Sequence, residues 1–381
     1  MKIAIDIRTV SSRRSGVGNY VLNLVQNLRE VDRDSTYYFL GMKKNFPLLG
    51  VDLIPPKKLV TFVSPENHPL SDIWEHFLLP LRLAKEKVDV FHGPASLIPF
   101  VKKGYGICVT IHDLVAFLFP RTIPRRYGVY MRFLLRQAVK KADRIIAVSH
   151  HTQKDLVSIL KVPPEKIAVI HEAPASIFRP MDRLSVRKRL KERYGLEGKY
   201  IYHVGNIEPR KNLIHLLEAF ILVCRELDEP YRLVVSGQKG WLVGSLRRYF
   251  KTYPLRERIF FTGYVPEEDL PYLMNGAELF VFPSLYEGFG LPVLEAMSCG
   301  TPVITSNCSS LPEIVGTAAV LTDPADVRGL ADRIIEVLSR PEERERLRQA
   351  GREQAARFTW TETARKTFEV YKAVAGHANP L

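Results

Sequence analysis

The stretch Leu279 to Thr305 constrains this chain's fold more than any other. Its apolar run Leu279 to Phe282 reads as a buried parallel strand. A loop carrying Glu287, Gly288 and Gly290 follows. Pro292 then fits the first turn of a helix, where its fixed φ and missing N–H suit the position. Gly300 ends that helix, and Val303-Ile304 starts the next strand. A glycine loop at a helix N-terminus collects free backbone N–H groups and the positive end of the helix dipole, which predicts an anion site. Two carboxylates, Glu287 and Glu295, flank it eight positions apart.

The same unit recurs along the chain. Ile3 to Ile7 reads as a strand, followed by a polar basic loop over 8–15, the string Gly16-Val-Gly18 and a helix over about 20–29. Position 21 is Val, so the dinucleotide fingerprint is not met. Gly16 and Gly18 fit either a tight turn or close backbone approach to a substrate. Further strands are expected at 37–40, 59–63, 88–92 and 106–111, with a helix over 74–84 interrupted by Pro80 and a basic one over 121–142. His112-Asp113 directly follows the strand 106–111, at the carboxyl end where open α/β sheets place ligands. Strands at 144–149 and 166–170 complete the first half, and residues 171–182, with Pro174 and Pro180, read as a linker. Strands at 200–204, 232–236, 258–262 and 318–321 then alternate with helices through the second half. This alternation predicts an α/β protein with two Rossmann-like, doubly wound domains, consistent with a length of 381 residues.

Charge narrows the partners. A net charge of +14 favours an anionic one. The helix over 121–142 interleaves Arg125, Arg126, Arg132, Arg136, Lys140 and Lys141 with aromatic residues, as an anionic-surface helix or an ordinary amphipathic one would. Asp32-Arg33-Asp34 has a spacing that holds divalent metals, but it falls in a turn where acidic residues are common. The four cysteines form no C-x-x-C pair; Cys108 and Cys224 sit in apolar runs and are expected as buried free thiols, which suits a cytoplasmic setting. The N-terminus reads as a strand rather than a signal peptide, and no apolar run approaches the roughly 20 residues that span a bilayer.

Three strand ends of the second half converge on one edge: Gly205 to Lys211, Gly237 to Lys239, and Ser284 to Gly290. Cations and backbone N–H groups suit a diphosphate, and a carboxylate accepting two hydrogen bonds suits a vicinal diol. Together they describe a nucleotide-sugar site.

The string Glu287-Gly-Phe-Gly-Leu-Pro-Val-Leu-Glu295 resembles the E-x7-E motif of retaining glycosyltransferases of family four, and Gly205-Asn-Ile-Glu-Pro-Arg-Lys-Asn212 is similar to that family's phosphate-contacting segment. The Gly16–Gly18 loop and His112 match its glycine loop and active-site histidine. The resemblance implies the GT-B architecture, two Rossmann-like domains facing across a cleft. The first would be 1–173, completed by a C-terminal helix at about 361–381; 174–182 would link it to a nucleotide-sugar domain at 183–360. It implies roles too. Gly16, Gly18, Arg210, Lys211, Gly290 and Leu291 would serve the donor phosphates. Asp113, Glu287, Gly288, Phe289, Gly290 and Glu295 would serve the donor sugar and ribose, with Glu295 on the ribose. His112 and Glu287 would act at the reaction centre, and Gly237, Tyr264 and Val265 would flank the base.

Two departures are visible. The first loop has Gly-Val-Gly in place of a double glycine, and Asn206 stands where many relatives have Arg, leaving Arg210 and Lys211 more of the phosphate work. The Glu-Pro-Arg-Lys-Asn form resembles mannosyltransferases that use GDP-mannose. The expectation is a hexosyltransferase needing no metal or cofactor, with a nucleotide-sugar donor, a glycan or lipid-linked acceptor, and peripheral contact with an anionic membrane. A sugar-nucleotide epimerase of the same architecture and, more distantly, a basic nucleic-acid-binding protein are the competing readings.

Overall fold

The structure is a computed structural model that describes residues 1–11, 16–50, 57–60, 74–238, 240 and 244–378. Its strands form two wholly parallel sheets. The first has seven: β1 (Lys2–Asp6), β2 (Thr36–Gly41), β3 (Lys57–Val60), β4 (Val90–Gly93), β5 (Gly106–Ile111), β6 (Arg144–Ala147) and β7 (Ile167–Val169), in the order β3-β2-β1-β4-β5-β6-β7. The second has six: β8 (Tyr200–Val204), β9 (Arg232–Ser236), β10 (Ile259–Gly263), β11 (Leu279–Phe282), β12 (Val303–Ser306) and β13 (Val320–Thr322), in the order β10-β9-β8-β11-β12-β13. Strand order reverses at β1/β4 in one sheet and at β8/β11 in the other. Such a reversal opens a crevice at the carboxyl ends of the strands. The central strands are apolar because helices cover both faces; every residue of β5 and β11 is buried.

The chain divides into two compact units. Unit 1 comprises residues 1–117, 128–172 and 359–381; unit 2 comprises 118–127 and 173–358. Residues 118–127 lie within the span expected for the first domain yet cluster with unit 2, where the Phe119 and Tyr286 rings are 5.4 Å apart. Residues 174–182, expected as a linker, also cluster with unit 2, and Asp182 caps the helix Arg183–Tyr194 by accepting from the Ser185 N–H. The helix Trp360–Ala378 belongs to unit 1 and packs on β5. Gly106 makes room for it: a Cβ there would lie 2.2 Å from Val374 Cγ1.

Several local expectations change. The single helix over 121–142 is two pieces, a short 3-10 turn Pro120–Thr122 and the helix Arg125–Lys141. Pro124 forces the break, since the residue before a proline disfavours helical backbone and Ile123 is extended at φ −128°, ψ 156°. Pro80 starts the helix Leu79–Lys85 rather than interrupting one, after a π-helical turn Trp74–Leu78. The first helix runs Gly16–Val31, so Gly16 and Gly18 occupy its first turn and not the preceding loop. All four cysteines are free thiols, but Cys224 is half-buried, while Cys299 joins Cys108 in full burial. Asp32 organises a turn: it accepts from the Asp34 and Ser35 N–H groups and the Tyr37 hydroxyl. Residues 12–15 of the basic loop, 61–63 of the expected strand, and Lys239 lie outside the described residues.

Candidate active site

In unit 2 the ends of β8, β9 and β10 are laced together by backbone. Gly205 N–H donates to the Ser236 carbonyl at 3.0 Å, Ile207 N–H to Gln238 at 2.9 Å, and Gly237 N–H to Gly263 at 2.8 Å. Gly237, at φ +146°, has no substitute: a Cβ there would sit 1.9 Å from the Gly205 carbonyl oxygen. Beyond this lacing lie Tyr264, half-buried, and Val265, buried. The segment after β8 then makes a 3-10 turn, Pro209–Lys211, closed by Asn212 at φ +59°. This turn aims Arg210 and Lys211 across the β8/β11 switch.

There both cations meet Glu287. Lys211 Nζ is 2.6 Å from Glu287 Oε1 and Arg210 Nη1 is 3.0 Å from Oε2. Arg210 also donates to the Tyr286 carbonyl at 2.6 Å and to Glu208 Oε1 at 2.7 Å. The Lys211 ammonium stands 4.8 Å from the centre of the Phe282 ring. Burial opposes the charge on Glu287, but Arg210 and Lys211 overcome it and hold the carboxyl down to about 2. Burial also pushes Lys211 below its usual value, and Glu287 only partly offsets this. The neighbouring charge of Arg210 adds to the lowering.

The loop bearing Glu287 is pinned from β12's far end. Glu287 N–H donates to Ser309 Oγ at 3.0 Å, and Ser310 Oγ donates to the carbonyls of Glu287 at 3.0 Å and Phe289 at 2.7 Å. Ser309 adopts φ +55°, an unusual backbone for a serine. Gly288, Phe289 and Gly290 run from this clamp into the helix Leu291–Ser298, with Gly290 as N-cap at φ +108°. At that helix start Pro292 has no N–H and Val293 N–H donates to the Gly290 carbonyl at 2.9 Å, which leaves the Leu291 N–H as the first that the helix itself can offer. Glu295 lies inside the helix and is only 6 % exposed, so it is not a solvated surface residue.

In unit 1, His112 follows β5. Its Nδ1 is 2.9 Å from Glu172 Oε1 and its Nε2 is 2.9 Å from the Pro94 carbonyl. The Tyr20 ring meets it edge-on at 4.8 Å. Burial opposes charge on this ring, but Glu172, Pro94 and Asp113 together raise its pKa. Asp113 turns back to accept the Val115 N–H. Gly16 is exposed and Gly18 buried in the helix that carries Tyr20. The structure thus brings Arg210, Lys211 and Glu287 together in unit 2, and Gly18's helix and His112 together in unit 1. Glu172, Glu208, Ser309 and Ser310 were not singled out from the sequence; the run Asn307 to Ser310, which follows β12 directly, could have marked a loop at that edge but was not read as one.

Solved structures share this fold. Sucrose-phosphate synthase from Thermosynechococcus elongatus superposes with a TM-score of 0.76 over 99% of both chains at 19% identity. Anabaena Alr3699/HepE, solved with UDP and glucose, gives 0.75 over 98% of this chain and 100% of that one, at 18% identity. Two Rossmann-like units of this kind define the GT-B class. Residues 14–173 match the model of Glycosyltransferase Family 4, and residues 186–354 that of Glycosyl transferases group 1. O-antigen chain mannosyltransferase B from Escherichia coli is 32% identical over 98% of this chain and 100% of its own. MMP alpha-(1->4)-mannosyltransferase from Mycolicibacterium hassiacum is 28% identical over 75% of this chain and 71% of its own. The chain belongs to the family-four glycosyltransferases and is a hexosyltransferase.

Proposed function

We propose that the chain transfers mannose from GDP-mannose to a hydroxyl of a glycan or lipid-linked acceptor in cell-envelope polysaccharide synthesis, with retention of the anomeric configuration. The observation that carries this reading is the Arg210–Lys211–Glu287 cluster at the β8/β11 switch. The mannosyltransferase names of the relatives support the choice of sugar. On donor binding, Arg210 and Lys211 would share their charge between Glu287 and the diphosphate. Gly290 and Leu291 would offer helix N–H groups to the phosphates, and Gly16 and Gly18 would approach them from unit 1. Glu287 with Gly288 and Phe289 would orient the sugar, Glu295 the ribose, and Gly237, Tyr264 and Val265 the base. His112 and Asp113 would serve the sugar from unit 1. Fixed cations and N–H groups stabilise a departing diphosphate without a metal ion.

The transfer follows a front-face course. The acceptor oxygen bonds to the anomeric carbon as the bond to the donor phosphate oxygen breaks, and that phosphate oxygen takes the acceptor proton. Peripheral contact with an anionic membrane fits the helix Arg125–Lys141, where Val129 and Phe133 are exposed among arginines. Among the described residues no helix is long and apolar enough to cross a membrane. The test is to incubate the protein with GDP-mannose, UDP-glucose and other nucleotide sugars, with and without lipid-linked and free glycan acceptors, in EDTA. Product from GDP-mannose with α-linkage, formed only with acceptor present, is expected. Preference for another donor, inversion, loss of turnover in EDTA, or nucleotide release without acceptor overturns the corresponding part.

A further inference from the structure

His112 has an arrangement that fixes its charge. Nε2 faces the Pro94 carbonyl, which can only accept, so Nε2 carries a proton. Nδ1 faces a carboxyl oxygen of Glu172 at 2.9 Å, a distance that needs one proton between them. Of the two homes for that proton the imidazole is the stronger base, at about 6.5 against about 4.3 for a glutamate. With Glu172 ionised, a neutral imidazole would set a lone pair against an acceptor at one of the two contacts. Both contacts are sheltered, since the Glu172 and His112 side chains are 6% and 15% exposed.

We propose that Glu172 is a positioning residue that holds His112 as a fixed imidazolium, so that His112 serves the transfer as a positive charge and not as a general base. The inference rests on His112 belonging to the active site. The other titratable groups around the ring fit it. His92 on β4 is wholly buried, bonded through Nε2 to Thr110 and through Nδ1 to Tyr371, and burial and the charge of His112 push it down to about 3. It therefore stays neutral and leaves the charge to His112. Tyr20 turns its ring edge to His112 while its hydroxyl pairs with Thr110 Oγ1 at 3.1 Å. Asp113, next in the chain, adds a second carboxylate that favours the cation. The device also has an anchor: Glu172 is the last residue of unit 1 before the chain passes into unit 2, and the preceding carbonyl, of His171, accepts from Thr363 Oγ1 at 2.7 Å. A fixed cation on the carboxyl edge of the first sheet suits a reaction that sheds a diphosphate.

The measurement is the ring protonation state of His112 in the full chain, labelled with nitrogen-15 at histidine, the signal being assigned by its loss in His112→Gln. Both ring nitrogens are expected to carry protons at neutral pH and above the usual imidazole range. Glu172→Gln keeps the side chain's shape and removes its charge. It is expected to return His112 to a singly protonated ring at neutral pH, and to lower kcat by at least about tenfold with the donor KM held within about twofold. A singly protonated His112 in the native chain overturns the proposal, as does a Glu172→Gln ring that titrates like the native one. Full turnover in His112→Gln, with the imidazolium seen in the native spectrum, overturns the role in transfer and leaves the protonation state standing.

Discussion

Glu287 pairs with both Arg210 and Lys211 as well as facing the proposed donor site, so its contribution is double. Removing it leaves buried Lys211 without its counter-charge and Arg210 with Glu208 alone, which costs more than the pairs themselves are worth. Glu287→Ala is expected to cut turnover by about a hundredfold or more, measured as steady-state transfer from the donor. Near-native turnover would remove Glu287 from the reaction centre. The pH dependence of stability has a definite sign. The folded carboxyl is held down at about 2, below the roughly 4.3 of an unfolded glutamate, so its stabilisation is present above that value and is lost as pH falls toward 2. Thermal unfolding compared between the native chain and Glu287→Gln is expected to diverge above about pH 4.3 and converge below it. His112 has the opposite sign: its folded pKa is raised, so its contribution is present below about 6.5 and fades as pH rises through the folded value. Glu287 was legible in the sequence because its signal is local, a carboxylate beside two glycines. Glu172 was not, because its partner lies 60 positions away and no local pattern marks a carboxylate that folds back onto a histidine.

The elements that build the site are short and held by loop contacts. The strand–loop–helix unit from β11 to β12 was readable because its punctuation has fixed physical causes: Pro292 in the first turn, Gly290 at φ +108° and Gly300 at φ +76°. The serine clamp was not readable. Ser309 takes a left-handed backbone that nothing about serine announces, and Ser310 acts on residues 21 and 23 positions earlier. The split of the basic helix at Pro124 was available from the rule for residues before proline, but amphipathic charge carried the reading past it. The lacing of β8, β9 and β10 depends on one residue. Gly237→Ala is expected to destabilise unit 2 by about 3 kcal/mol or more, since neither the φ of +146° nor the gap of 1.9 Å admits a methyl group. Chemical denaturation would read the loss, and an unchanged midpoint would contradict the close approach.

At the scale of the chain, alternation of strands and helices sufficed to indicate two parallel α/β sheets, because parallel pairing demands a crossover for each strand. It did not show that residues 118–127 leave their sequence neighbours to cluster with unit 2, since that choice is made by tertiary contacts such as Phe119 on Tyr286. Nor did it show how the last helix is fastened, through Val374 over Gly106 and the hydroxyl of Tyr371 on His92 at 2.6 Å. Deleting residues 359–381 is expected to strip amide-exchange protection from β5 while β11 keeps its own, and to make the product aggregate through the apolar face it uncovers. Protection retained in β5 would show the helix to be dispensable.

That last helix also sets a schedule. A ribosome delivers residues in order, and domains ordinarily finish as they emerge. Here the residues of unit 2 are all made by position 358, while unit 1, begun earlier, still awaits residues 359–381. Until then the floor over Gly106 is bare. The first domain to be started is the last to be closed, and any stalled or prematurely terminated chain carries an open wound in that domain for quality control to find.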